Sequence, residues 1–177
     1  NVKTIADRKN IIKSKENAFE LEMDVTPASM ATTGIELYNA KGEKVNIYFD
    51  MKERKLVMDR TESGLIEFGK LAVPHDIEKN YADIHQGVGN TPFRVFNSIN
   101  YKNDFALGTW APLSLCEGKT YHVDIFVDKC SVEIFVDGGR IAMTNLVFPT
   151  TPYTSVKFYN KGASSSFRNI KISELSL

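Results

Sequence analysis

The stretch from Tyr121 to Leu146 constrains the fold most, because its alternating residues and its turns leave one consistent strand register. Lys129-Cys130 is predicted as a two-residue hairpin loop, since this choice sets every apolar residue of the first strand opposite an apolar residue of the second. Gly138-Gly139 suits the next loop, because glycine readily adopts the positive φ that such a turn requires. Three strands sharing one buried face are therefore predicted, with these pairs: Val127 and Val132, Ile125 and Ile134, Val123 and Val136, Val136 and Ile141, Ile134 and Met143.

The same two-residue alternation covers most of the chain, and helical periodicity is nearly absent. Many short strands at close spacing predict an all-β fold, a two-sheet antiparallel β-sandwich of the jelly-roll, concanavalin A-like type. A closed barrel is the alternative. The other predicted strands are Phe19–Val25, Ile35–Tyr38, Val45–Asp50, Lys55–Asp59, Leu113–Leu115, Ser155–Tyr159 and Phe167–Ile172.

Composition excludes several classes of protein. The 177 residues suit one domain, and 22 basic residues balance 22 acidic ones, so no net field favours nucleic acid as a partner. No apolar run is long enough to insert into a membrane. Cys116 and Cys130 lack a zinc-binding spacing, although a disulfide between them is possible, and His75, His85 and His122 lie at unrelated spacings. We expect no metal and no cofactor.

The first 17 residues differ from the rest of the chain. Residues 1–17 are polar and lysine-rich, and the chain starts at Asn1 without an initiator methionine or an apolar leader. We therefore expect a fragment, in which residues 1–17 are a linker or junction to a missing domain and residues 18–177 form a single β-sandwich domain.

Four segments resemble one family in order and spacing, over most of Phe19 to Leu175. Val127–Arg140 is similar to the signature of the C-terminal domain of glycoside hydrolase family 32, the family of invertases, inulinases and levanases. The other three are Asp59–Gly64, Trp110–Leu113 and Val147–Pro149. The resemblance implies a parent protein with an N-terminal catalytic propeller that acts on β-fructosides, located outside the cell, in the periplasm or on the surface of a bacterium.

The residues of that chemistry are missing from this chain. The family's Trp-Met-Asn-Asp-Pro, Arg-Asp-Pro and Glu-Cys stretches, which carry nucleophile, stabiliser and acid, do not occur in it. A retaining glycosidase needs an ionised and a protonated carboxyl group on either side of one bond. The resemblance therefore implies no catalytic residue here, and a non-catalytic domain that stabilises the propeller and edges the substrate cleft.

Two sets of aromatic residues are candidate sites. Trp110, Tyr101 and Tyr81 are candidates for carbohydrate binding, by stacking on sugar rings, and a fructan or sucrose-type carbohydrate is then a partner. The favoured alternative is that these aromatics, with Phe93 and Phe96, are hydrophobic core or a cap that closes one end of the sandwich. Phe126 and Phe135 lie diagonally on the face away from the paired aliphatics, and we predict that they contact the propeller. In the alternative, loops of this chain bury Phe126 and Phe135.

Two other functions compete with the accessory-domain hypothesis. The chain could be an autonomous fructan-binding module. It could also be a jelly-roll glycosidase, in which Glu20, Glu22 and Asp24, successive on one strand face, supply acid, nucleophile and helper. Strands with one wet face carry such charges by default, so a solvated surface is the favoured reading of the three carboxylates.

Overall fold

The chain folds into two facing antiparallel sheets, as predicted. The computed structural model describes residues 3–4, 10–66, 104–113 and 118–175. Twelve strands and a short 3₁₀ helix, Asp104–Ala106, occur in these ranges. The strands are β1 Lys3–Thr4, β2 Asn10–Lys13, β3 Phe19–Thr26, β4 Thr32–Tyr38, β5 Lys44–Asp50, β6 Lys55–Glu62, β7 Thr109–Pro112, β8 Tyr121–Val127, β9 Ser131–Val136, β10 Ile141–Leu146, β11 Ser155–Lys161 and β12 Ser166–Glu174.

Among the described residues each sheet has six strands, and both sheets contain distant parts of the chain. Sheet A has the order β1-β12-β3-β8-β9-β10, and sheet B has the order β2-β11-β4-β5-β6-β7. The sheets face one another, because the ring of Phe49 on β5 lies 5.1 Å from that of Tyr121 on β8, centroid to centroid. Phe158 on β11 and Phe167 on β12 make a second aromatic contact at 5.2 Å. The fold is thus a β-sandwich.

The core consists of the alternate residues that face inward from the two sheets. Burial along β3 and β5 switches strictly with every residue, as expected for strands with one wet side. The largest fully buried side chains are Tyr153, Phe19, Phe167, Leu21, Ile35, Leu37, Leu56, Met58, Ile125 and Ile134.

Within the described ranges, no helix is long and apolar enough to cross a membrane.

The predicted register of the two hairpins is confirmed. Val127 pairs with Val132 and Ile125 with Ile134, so β8 and β9 share the predicted inward face. Across the second turn, Val136 pairs with Ile141. Gly138 and Gly139 both have positive φ, and Asp137 before them does too. The turn therefore has three residues in the left-handed region, one more than the two that were predicted.

Two predicted segments, Leu113–Leu115 and residues 1–17, lie partly within the described residues. Of the strand predicted over Leu113–Leu115, Leu113 is a buried residue directly after β7, which ends at Pro112, whereas Ser114 and Leu115 lie outside the described residues. The segment predicted as a linker, residues 1–17, contributes β1 beside β12 and β2 beside β11. Part of it therefore extends both sheets, and the domain boundary at residue 18 stays a prediction.

Candidate functional site: the outer faces of the sandwich

Two of the four family-like segments meet at one end of the sandwich. Gly64 ends the Asp59–Gly64 segment, and the amide of Leu65 donates a hydrogen bond to the Phe148 carbonyl at 2.9 Å. The buried hydroxyl of Tyr153 donates to the carbonyl of Ser63. These contacts span more than eighty residues of sequence, so the two segments join parts of the fold that are distant in the chain.

Arg60, within the same segment, lies between the sheets' ends. Its guanidinium donates to the Leu146 carbonyl at 2.8 Å and lies 4.2 Å from the centre of the Phe105 ring. Burial lowers the pKa of Arg60 from its usual value. All these partners are backbone or ring atoms of this chain, which gives the arginine a structural role.

The outer face of sheet A carries both of the predicted interface aromatics. Phe126 on β8 and Phe135 on β9 are half-buried, and their rings meet edge to face with centroids 5.9 Å apart. The pairing of Phe126 with Glu133 puts the two rings diagonal, as the sequence predicted. Leu146 on β10 is 52% exposed on the same face. The rings are therefore not fully buried by this chain, and their assignment to a domain interface stays a prediction.

Beside these rings, sheet A brings carboxylates together. One oxygen each from Glu20, Glu22 and Asp124 lies within 4.8 Å of the others. Glu22 also accepts a hydrogen bond from the Lys171 ammonium group at 2.7 Å. His122 lies 3.2 Å from Asp124 through Nε2. The cluster is thus flanked by an ammonium group and an imidazole, and its members are partly exposed.

Asp24, the third residue of the proposed acidic triad, is not a member of this cluster, but His122 contacts both Asp24 and Asp124. Its carboxylate is 2.8 Å from His122 Nδ1 and accepts a hydrogen bond from the Asn169 amide at 2.6 Å. These hydrogen bonds hold the pKa of Asp24 below its usual range. A general acid must keep its proton near neutral pH. Asp24 is therefore unsuited to that role, which weakens the jelly-roll glycosidase hypothesis.

The contact between His122 and Asp24 predicts a pH dependence of stability. Its hydrogen bond to Asp24 raises the pKa of His122 above the unfolded value. The protonated form is therefore favoured by folding, and its contribution is full below about pH 6.5 and lost as pH rises through the folded pKa. Because the imidazole is 52% exposed, we expect a loss of only about 0.5 kcal/mol between about pH 6 and 8.

Chemical denaturation at a series of pH values measures this effect. The variant His122→Gln keeps a hydrogen-bonding side chain but does not titrate, so its free energy of unfolding should change less over that range. Equal slopes for the variant and the unchanged chain would contradict the assignment of the effect to His122.

The outer face of sheet B holds an open groove of about 610 Å³. Strand pairing places Tyr159 of β11, Gly34 of β4 and Tyr48 of β5 side by side across its floor. Its rims carry charged residues of both signs. Sequence reasoning missed this groove, because the tyrosines come from strands 111 positions apart in the chain. The local signal in the sequence was a tyrosine at a solvent-facing position of each of the two strands, β5 and β11.

Trp110, a predicted carbohydrate-binding residue, lies on this outer side of sheet B. It pairs with Val57, which pairs in turn with Tyr48, so all three share one row across the strands. Its ring is 57% exposed, and the Lys55 ammonium lies 4.5 Å from the ring centre. Trp110 is therefore not a core residue, and its place in a cap at one end of the sandwich stays a prediction. Tyr101 and Tyr81, with Phe93 and Phe96, lie outside the described residues, so the proposed three-residue platform stays a prediction.

The cysteines and histidines can be placed only in part. Cys130 is an exposed free thiol at the tip of the first hairpin. Its possible disulfide partner, Cys116, lies outside the described residues, as do His75 and His85.

Curated relatives of this chain are levanases. A levanase of Bacillus sp. (strain L7) is 22% identical over 165 residues, which are 93% of this chain and 14% of that protein. A levanbiose-producing levanase of Bacillus subtilis (strain 168) is 30% identical over 95 residues, 54% of this chain and 17% of that protein. The chain thus spans less than a fifth of the length of either relative.

Solved structures share the fold. The crystal structure of a fructosyltransferase from A. japonicus matches with a TM-score of 0.62 and 16% identity, over 98% of this chain and 26% of that one. At this identity the likeness concerns the fold alone. The family model described as "Glycosyl hydrolases family 32 C terminal" matches residues 1–174. The chain therefore belongs to the C-terminal domains of glycosyl hydrolase family 32, the non-catalytic domains that accompany an N-terminal catalytic domain in these enzymes.

Proposed function

We propose that this domain packs against the catalytic propeller of a β-fructoside hydrolase of the levanase or inulinase type and stabilises it. The observation that carries the proposal is the family match over residues 1–174, together with relatives that are levanases of which the chain spans less than a fifth. In this proposal the catalytic groups belong to the other domain, and the substrate is a fructan. The enzyme works outside the cell, in the periplasm or at the cell surface.

The sheet A face supplies the contact in this proposal. Phe126 and Phe135 form a ring pair that remains half-exposed in the single domain, with exposed Leu146 on the neighbouring strand. Exposed apolar groups that lie together are typical of surfaces that contact another protein or domain. Aromatic side chains also carry a large share of the binding free energy at such contacts. In this proposal the propeller contacts this ring pair.

The test separates domain pairing from folding. Phe135→Ser in the full-length parent enzyme is expected to lower the temperature of thermal inactivation, and to weaken association of the separately expressed domains by about tenfold or more. In the isolated chain, the same change should reduce the free energy of unfolding by less than it reduces the free energy of domain association, since Phe135 is only half-buried. Tyr38→Ser is the matched control, because Tyr38 is a half-buried aromatic residue of the opposite sheet.

Fructose release provides the second measurement. The chain by itself should release no fructose from sucrose, inulin or levan, because it supplies no nucleophile and acid pair. Hydrolysis that Glu22→Gln abolishes would overturn the non-catalytic role. Unchanged domain association in Phe135→Ser would remove the ring pair from the interface.

A further inference from the structure

The sheet B groove is built by strand register, which sets two rows of side chains across its floor. One row consists of Lys157, Glu36, Asn46 and Asp59, on β11, β4, β5 and β6. The next row contains Tyr159, Gly34 and Tyr48 and continues to Trp110 at the sheet edge. Neighbouring strands lie about 4.8 Å apart, so successive aromatic residues of this row are separated by about 10 Å.

Gly34 lies between the two tyrosines and has no side chain of its own. A Cβ atom at position 34 would lie 2.6 Å from the Cβ atom of Tyr48 and 2.1 Å from the Ile47 carbonyl oxygen. No side chain can therefore stand between Tyr159 and Tyr48 without moving the strands. The absence of a side chain at position 34 keeps the middle of the groove low and leaves the tyrosines as its aromatic surface.

The charges that line the groove cancel. Three ammonium groups and three carboxylates lie around it, namely Lys44, Lys157, Lys161, Glu36, Asp50 and Asp59. Both the desolvation by burial and the nearby carboxylates raise the pKa of Tyr159, so its phenol is neutral at physiological pH. A site without net charge offers no advantage to a polyanion or a polycation. Its balanced donors and acceptors suit a neutral, hydroxyl-rich ligand.

Several polar side chains of the groove form no hydrogen bond with another residue that the structure describes. Among the described residues, the Asn46 amide, the Glu36 carboxylate and the Tyr48 hydroxyl make no side-chain hydrogen bond. Amide and carboxylate groups can donate to and accept from the hydroxyl groups of a ligand. A tyrosine side chain has an apolar ring face and a polar hydroxyl. These match the apolar face and the hydroxyl groups of a sugar.

We propose that the sheet B groove is a binding site for a neutral oligosaccharide, held by stacking on Tyr48 and Tyr159 and by hydrogen bonds to Asn46 and Glu36. The identity of that oligosaccharide as a fructan chain rests on the proposed function. The site lies on the sheet opposite the Phe126 and Phe135 pair, so the domain can hold the substrate polymer on one side and contact the propeller on the other.

Calorimetric titration of the chain with levan and inulin oligosaccharides tests the proposal, with maltohexaose as an unrelated neutral oligosaccharide. Tyr48→Ala should weaken fructan binding by about tenfold or more, while Tyr48→Phe, which retains the ring, should keep most of the affinity. Tyr38→Ala is the matched control, because Tyr38 is a half-buried tyrosine of the same sheet outside the groove. The affinity should change by less than about twofold between about 50 and 500 mM salt, since the ligand is neutral.

Thermal unfolding of each variant checks that it is folded, and Asn46→Ala replaces Tyr48→Ala if the latter is not. Absence of binding to both fructans, an equal affinity for maltohexaose, or equal affinities of the Tyr48→Ala and Tyr38→Ala variants would each overturn the proposal. Loss of domain association in Tyr48→Ala would also overturn it, by making the groove a domain contact. Failure of the proposed function is seen separately, as association that Phe135→Ser leaves unchanged.

Discussion

Gly64→Ala is expected to lower the free energy of unfolding by about 3 kcal/mol, a fall in Tm of about 6 to 12 °C for a chain of this size. Gly64 has a φ of +123°, which residues with a side chain rarely adopt. A Cβ atom there would also lie 2.5 Å from the Phe148 carbonyl oxygen and 2.7 Å from the Pro149 Cα. Backbone strain and overlap with backbone atoms therefore add together.

Gly42→Ala separates the two causes. Gly42 also has positive φ, +82°, but no heavy atom lies within 4 Å of the Cβ position. It should cost only the conformational part, about 1 kcal/mol. Equal losses for the two variants in thermal and chemical unfolding would show that the contact between the Asp59–Gly64 and Val147–Pro149 segments contributes nothing.

Ile134→Ala is expected to lower the free energy of unfolding by about 3 to 4 kcal/mol, because it leaves a cavity in the centre of the sandwich. Ile134 is fully buried, and it pairs with Ile125 on one side and Met143 on the other. It therefore tests the buried face of three consecutive strands at once. Chemical denaturation, monitored by the fluorescence of Trp110, measures the change.

Thr144→Ala provides the control on the wet face. Thr144 is exposed on β10, one position after the buried Met143, and its replacement should change the free energy of unfolding by no more than about 0.5 kcal/mol. A large loss at position 144 together with a small one at 134 would mean that the strands are shifted by one residue.

Local patterns predicted the hairpins well, because their register depends on residues close in the chain. The two-residue loop at Lys129-Cys130 and the alternation on both sides of it leave a single pairing that buries Val127 with Val132, and the structure has that pairing. The all-β sandwich followed from the same alternation, which continues through β3 and β5. Short-range information was sufficient for these elements.

The sheet order and the surfaces could not be predicted in this way. β3 pairs with β8 and β12, and β4 pairs with β11, all over long separations in sequence. No local pattern specifies such neighbours, so the row of Tyr159, Gly34 and Tyr48 was invisible. Trp110 was expected in the core or in a cap at one end of the sandwich, on the general preference of large aromatics for burial, whereas its place on the edge strand β7 leaves it exposed.

The first strands of the chain have a consequence for solubility. β1 covers the free edge of β12, and β2 covers the free edge of β11, so one short segment of chain occupies an edge of each sheet. An uncovered edge strand presents unpaired amide and carbonyl groups that can pair with another molecule. The β12 and β11 backbones would be such edges without residues 1–13, and two sandwiches could then join into a continuous sheet. The amino-terminal segment thus protects the domain against self-association and aggregation.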